Sequence, residues 1–364
     1  MSSSSHLSLQ QLGWRPFFQQ QINLDEYDTC LFCRVVEQHR SKIVVESDQG
    51  QFDIRPSNNA DPICVGDWLL INKTTKIIER SLERQSVFQR KSPGSKVDTQ
   101  LIAANIDHLI IVSSLNQDFN LSRIERYIAV AKDAMVDPIV VLTKADLCEN
   151  NEEVTNKIHQ VQDLDAMMVT LAVNALAYSD LEQLTPYCKL GQTIAFVGSS
   201  GVGKSTIVNT LLQTESMKTG SIREDDDKGR HTTTHRALKS LPQGGLLMDT
   251  PGIRELQLTE CETGVNETFS EIVALAKQCR FSDCSHQTEP GCAVQRSLAN
   301  GELDPRRFNN FQKLIKEQAF NSATLAERKE KDRNFGKLIN AVQNESRLRK
   351  KASNDIVVKF QIHF

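Results

Sequence analysis

Gly198-Ser199-Ser200-Gly201-Val202-Gly203-Lys204-Ser205 follows the apolar run Thr193 to Val197 and precedes the helix-like Thr206 to Leu212. A strand that ends in G-x4-G-K-S and turns directly into a helix is a phosphate-binding loop. Its glycines let backbone N–H groups close round phosphate oxygens at a helix N-terminus. Lys204 neutralises the β and γ phosphates, and the Ser205 hydroxyl is placed to ligate magnesium. Gly198 to Thr206 is therefore expected to hold a nucleoside triphosphate. Upstream, the apolar runs Leu109 to Val112, Pro138 to Leu142 and Met167 to Val173 alternate with the helix-like stretches Leu121 to Ala134 and Val154 to Gln162. That rhythm predicts a parallel sheet covered on both faces, an α/β nucleotide domain.

Two downstream strings extend the phosphate site. Asp249-Thr250-Pro251-Gly252 ends the apolar Leu246 to Met248, so the Asp249 carboxylate suits magnesium and the Gly252 N–H suits the γ-phosphate. Between the two lies Gly229-Arg230-His231-Thr232-Thr233-Thr234, whose threonines, Thr233 foremost, offer the metal a second hydroxyl. Base choice is read further upstream. In Thr143-Lys144-Ala145-Asp146, at a strand end, the Asp146 carboxylate can accept from N1–H and the 2-amino group of guanine, and adenine has neither donor there. Asn174-Ala175 ends the next strand, where the Ala175 N–H meets the guanine O6. GTP is thus expected over ATP. In ordinary P-loop GTPases the phosphate loop comes first; here Asp146 and Ala175 precede Lys204 and Asp249. A circularly permuted sheet explains this order, and compact domains with neighbouring termini tolerate it.

Nine cysteines in 364 residues would suggest a disulfide scaffold if they were dense, but six are scattered and three cluster near one histidine. Cys279, Cys284, His286 and Cys292, spaced C-x4-C-x-H-x5-C, match a closed, structural zinc site. Cys30 and Cys33 form a C-x-x-C inside a predicted strand with no partner pair, and read as interior residues of that strand.

Composition bounds the rest. Hydrophobic residues are 39% and charged residues 24%, which excludes a largely disordered chain, and the length implies two or three domains. No apolar run approaches the roughly 20 residues of a membrane helix. Met1 to Gln10 lacks the basic and apolar parts of a secretory leader, so a cytoplasmic location is expected. The net charge is −3, yet residues 305–351 hold 13 Lys and Arg against 5 Asp and Glu, which points to an anionic partner for that stretch. Arg306, Arg307, Lys313 and Lys316, on a helix opened by Asp304 and Pro305, lie close enough together to contact phosphates, and a solvated helical face with incidental charge would read the same. Residues 1–27 read as an amphipathic lead docking on its own protein. From Asp28 to Glu83, five short β-type runs (Leu31 to Val36, Lys42 to Val45, Gln51 to Ile54, Asp67 to Ile71, Ile77 to Leu82) suit a small barrel of the OB type, and an SH3-like barrel would read much the same.

The permuted order, the Gly229 to Thr234 string, Asp249 to Gly252, and Cys279-Arg-Phe-Ser-Asp-Cys284-Ser-His286 through Glu289-Pro-Gly-Cys292 together resemble the bacterial small ribosomal subunit biogenesis GTPases. The resemblance implies an OB-fold domain over 28–84, a circularly permuted GTPase over 85–263, a zinc-binding helical domain over 264–330 and a basic tail over 331–364. It also implies a monomer that binds GTP and GDP, the 30S subunit and 16S rRNA, hydrolyses GTP faster on the subunit, and acts late in its maturation. His231 is the implied catalytic residue beside Lys204, because Ile253 stands where many GTPases place a water-orienting Gln. Members of that family usually carry Asn where Thr143 stands and Ser where Asn174 stands. One alternative stays open at this point: a zinc-stabilised RNA-binding module in which nucleotide is a ligand and hydrolysis is incidental.

Overall fold

A computed structural model describes residues 6–57, 61–91, 99–213, 236–249 and 261–322. The lead contributes two short helices, α1 (Pro16–Gln19) and α2 (Leu24–Thr29), the second running past residue 27. Trp14 stacks on Phe32 at 5.0 Å and meets Trp68 edge-on at 4.8 Å, and Leu12 and Phe18 are buried against Trp68 and Leu70. Five strands follow: β1 (Cys30–Gln38), β2 (Ile43–Ser47), β3 (Gly50–Ile54), β4 (Trp68–Asn72) and β5 (Ile78–Ser81). All pairings are antiparallel, in the order β3-β2-β1-β4-β5. Alternate residues of these strands, Leu31, Cys33, Val35, Val45, Leu69 and Ile71 among them, form a core of their own. Cys33 is fully buried there.

A hairpin of β6 (Val87–Lys91) and β7 (Thr99–Ala104) leads to the α/β part. Its elements are β8 (His108–Ser114), α3 (Leu121–Asp133), β9 (Asp137–Thr143), α4 (Asn151–Gln162), β10 (Val169–Val173), α5 (Tyr178–Leu181), β11 (Thr193–Val197), α6 (Lys204–Leu212), β12 (Arg236–Ser240) and β13 (Leu246–Asp249). The strand order is β10-β9-β8-β11-β13-β12, with β12 alone antiparallel. Alternation along β8 shows why both faces are covered: Leu109 and Ile111 enter one core with Ile124 and Ile128 of α3, and Ile110 and Val112 enter the other with Ile207 and Leu211 of α6. The chain leaves β8 toward β9 on one side and returns as β11 on the other. The crevice at the strand C-termini beside this switch point is where open α/β sheets bind ligands.

Strand β1 is long enough to serve two partners on one edge. Cys30 to Arg34 pair with β4, and beyond them Glu37 and Gln38 pair with Ala237 and Arg236 of β12, so the five-stranded sheet and the α/β sheet are continuous. Arg34 secures the joint. Fully buried, it donates to the carbonyls of Leu12 and Asn105 and to Thr193 Oγ1, the last two at 2.9 Å, and desolvation pulls its guanidinium down to about 10. Thr193 opens β11, the strand that ends in the phosphate loop.

The C-terminal helices are α7 (Glu262–Thr268), α8 (Ser270–Ala276), α9 (Ala293–Ala299) and α10 (Pro305–Ser322). Helix α7 runs through the boundary expected at 264 and lies against α3. At Gly264 a Cβ would stand 1.9 Å from the Ala129 carbonyl, so only glycine allows this approach. Val265, Phe269, Cys292, Phe308 and Leu314 belong to the same core as Ile124 and Ile128. The zinc-type segment therefore shares a core with the α/β part.

Charge alone misplaces Arg307 on the exposed face of α10. Arg307 is buried away from any phosphate partner, and Arg306, still 34% exposed, is engaged beside it: both grip the fully buried Glu125 of α3, Arg306 at 3.0 Å and 3.1 Å, and Arg307 at 3.0 Å. Arg307, itself 8% exposed, also pairs with Glu271 and donates to the Thr268 carbonyl at 2.7 Å. A buried carboxylate on a neighbouring helix needs these cations. Lys313 and Lys316 are exposed on α10. Among the described residues, no helix is long and apolar enough to cross a membrane.

Candidate functional site

The loop Gly198 to Gly203 links β11 to α6, whose first residue is Lys204. Gly198 has φ +142°, and a Cβ there would lie 2.2 Å from the Val112 carbonyl, so the loop crosses β8 in a path open only to glycine. Lys204 Nζ donates to the Gly198 carbonyl at 2.8 Å and to that of Ser199, which places the ammonium inside the loop's own curve. Arg123, from the first turn of α3, reaches the Ser199 hydroxyl while paired to Asp118 at 2.8 Å. No local signal in the sequence marked Arg123 as a neighbour of this loop.

The strings expected to read the base sit at the C-terminal ends of β9 and β10, on the same rim of the sheet as the phosphate loop. Thr143 is fully buried, and its Oγ1 donates to the Val202 carbonyl at 2.6 Å. Lys144 takes a left-handed conformation (φ 62°), and Ala145 begins a short 3-10 turn that leaves Asp146 exposed. On β10's side, the Asn174 N–H is held by Asp180 at 2.9 Å, and the Asn174 side chain accepts from the Leu176 N–H at 3.0 Å. Thr210 of α6 donates to the Ala175 carbonyl at 3.1 Å, tying this loop to the phosphate-loop helix. Asp249 ends β13 on the same rim and is paired with Lys239 of β12 at 3.0 Å. His231, Thr232, Thr233, Thr234, Gly252 and Ile253, and the tail over 331–364, lie outside the described residues.

Cys279, Cys284, His286 and Cys292 come together with all four ligand atoms within 4.8 Å of one another. Cys279 Sγ and Cys292 Sγ are 3.8 Å apart, and His286 Nδ1 lies 3.6 Å and 3.5 Å from them. Zinc bonds of about 2.3 Å to sulfur and about 2.0 Å to nitrogen, meeting at a tetrahedral angle, put the sulfurs about 3.8 Å apart and each about 3.5 Å from nitrogen. The donor set and spacing fit zinc. Glu289 holds the loop between these ligands: it accepts from the Ser285 hydroxyl, from the Ser285 and Gln287 N–H groups at 2.8 Å and from the Thr288 N–H at 3.0 Å. These bonds, the Ser285 hydroxyl first, bring its carboxyl down to about 2. Gln295 Nε2 donates to the His286 carbonyl at 2.6 Å and sets the histidine's backbone.

A P-loop, the loops that follow β9 and β10 and an acidic strand end share one rim of a sheet whose strands follow in rotated order, and a Cys3His cluster adjoins the same core. The protein is thus a circularly permuted P-loop GTPase with a zinc-type accessory segment. The RsgA GTPase family model matches residues 81–259. A second model, described as ABC transporter, matches residues 181–354, a span that holds the phosphate loop but neither Asp146 nor Ala175. The small ribosomal subunit biogenesis GTPase RsgA 2 of Vibrio parahaemolyticus is 53% identical over 344 residues, covering 94% of this chain and 95% of its own. RsgA of Mesorhizobium japonicum is 41% identical over 325 residues, covering 88% and 92%. The chain belongs to the RsgA family of small ribosomal subunit biogenesis GTPases. Two solved structures share the fold at a TM-score of 0.59: YjeQ from Thermotoga maritima, at 24% identity over 80% of this chain and 99% of that one, and YloQ, a circularly permuted GTPase, at 20% identity over 83% and 99%.

Proposed function

We propose that this GTPase grips 16S rRNA of the 30S subunit through its five-stranded sheet and its zinc-bearing segment, and that the subunit accelerates its hydrolysis of GTP. The observation that carries this reading is the ladder from β13 through β12 to β1, which makes the Asp249 strand end and the N-terminal sheet one continuous piece. On this reading the five strands are an OB barrel, with functional divisions at 28–84, 85–263 and 264–330, and the protein works as a cytoplasmic monomer.

Asp146 and the Ala175 N–H select guanine, with Lys144, Ala145 and Asn174 framing the base. Gly198 to Gly203 wrap the phosphates with backbone N–H groups, Lys204 neutralises the developing charge, and Thr206 follows in the first helical turn. Ser205, Thr233 and Asp249 hold magnesium, and Gly252 meets the γ-phosphate. Magnesium bound with GTP neutralises charge on the β and γ oxygens. His231 orients the attacking water, because Ile253 stands where many GTPases place a glutamine. Cys279, Cys284, His286 and Cys292 hold zinc, which stiffens the segment between α8 and α9.

The deciding measurement is single-turnover GTP hydrolysis with and without purified small subunits. Lys204→Ala is expected to lose both binding and turnover, and His231→Ala to keep binding while losing the stimulated rate. Equal loss of nucleotide affinity in the two variants would remove His231 from catalysis.

A further inference from the structure

Lys239 Nζ lies 3.0 Å from Asp249 Oδ2. The two residues are on paired antiparallel strands whose register sets Ala237 opposite Asp249 and Lys239 opposite Leu247. Residues two apart on a strand share a face, so the lysine reaches diagonally to the carboxylate, a distance within the span of a long side chain. The backbone has little freedom to draw the lysine away. Strand β12 is held on one edge by β13 and on the other by β1, through Glu37 opposite Ala237 and Gln38 opposite Arg236. Both side chains are partly sheltered, Lys239 at 40% exposure and Asp249 at 24%. Charges there feel each other more strongly than in open water.

We infer that Lys239 is a placeholder cation on the magnesium carboxylate, and that it sets the magnesium concentration at which the protein holds guanine nucleotide. This rests on the reading of Asp249 as a magnesium-binding group. A divalent cation arriving at Asp249 meets an ammonium already bonded to the same carboxylate. Either the ammonium leaves Oδ2, giving up its ion pair, or it stays and repels the metal. Both outcomes raise the magnesium requirement. In the absence of metal, the same ammonium keeps a partly buried carboxylate paired.

The test is the magnesium dependence of binding of a fluorescent GDP analogue to the full chain, titrated at fixed nucleotide. Lys239→Met keeps most of the stem and removes the charge. It is expected to lower the half-saturating magnesium concentration about two- to fivefold, the scale of a partly exposed ion pair. Lys239→Arg keeps the pair and is expected to match the wild type. Asp249→Asn reports on the underlying assignment and should raise the magnesium requirement. If Asp249→Asn raises it while Lys239→Met leaves it unchanged or raises it, the placeholder role is overturned and the Asp249 assignment stands. If Asp249→Asn changes nothing, the assignment itself fails, and the placeholder role with it. Loss of nucleotide binding by Lys239→Met even at saturating magnesium would also overturn the inference, because the lysine would then support binding instead of opposing it.

Discussion

The Thr143 hydroxyl donates to the Val202 carbonyl at 2.6 Å, so the strand end that leads to Asp146 is stapled to the glycine-rich loop before α6. Both partners are buried, and a Cβ at Gly203 would stand 3.7 Å from the same side chain. Thr143→Val keeps the shape and removes the donor, leaving a buried carbonyl without this bond. A cost of about 1 to 2 kcal/mol is expected. If it falls on the bound form, GTP and GDP should both weaken roughly five- to thirtyfold, with the preference for guanine over adenine unchanged. Calorimetric titration of GTP, GDP and ATP checks this, and a selective loss of guanine preference would contradict it.

Base choice should reside in Asp146, three residues on, where the 3-10 turn leaves the carboxylate exposed. Charge-assisted hydrogen bonds from guanine are worth roughly 1.5 to 3 kcal/mol each. Asp146→Asn should therefore weaken GTP about tenfold or more and improve xanthosine triphosphate, whose O2 accepts from the new amide. Wild-type GTP affinity in that variant would refute the assignment.

Zinc removal should reach further than its own loop. Cys292, Phe308 and Leu314 share a core with Ile124 and Ile128 of α3, and α3 begins beside the phosphate loop. Cys284→Ser is expected to lose zinc by elemental analysis, to lower the melting temperature of the whole chain, and to weaken small-subunit binding. Native protein that contains no zinc, or a Cys284→Ser chain that melts as the wild type does, would count against it.

Much of the fold is legible because its signals are local. The alternation of Leu109 and Ile111 with Ile110 and Val112 marks a strand buried on both faces, and the glycines of 198–203 mark the turn into α6. The Cys and His spacing likewise foretells a cluster that the chain does assemble. What cannot be read locally is pairing across long separations. Nothing near Glu37 indicates that its strand will continue past β4 to pair with Ala237, because a ladder contact depends on which edges remain free after each sheet has formed. The charge of Arg306 and Arg307 is visible in sequence, but their partner Glu125 lies far upstream, on a helix face that only the packing of α10 against α3 brings near.

That last difference yields a separable pair of outcomes on one helix. Arg307 is buried and bonded to Glu125, Glu271 and the Thr268 carbonyl, whereas Lys313 and Lys316 are exposed. Arg307→Ala strips a cation from a buried carboxylate, which costs on the order of 3 kcal/mol. The variant should melt several degrees lower, and any loss of subunit binding should follow from that. Lys313→Ala with Lys316→Ala should leave the melting temperature unchanged. If both lysines displace counterions from rRNA phosphates, the pair should lower the log-log salt dependence of small-subunit binding by about 1.4 to 1.8. Nucleotide affinity of the free protein should stay as it was. An unchanged salt slope in the double-lysine variant would remove α10 from the RNA-contacting surface and leave the N-terminal sheet as the principal contact.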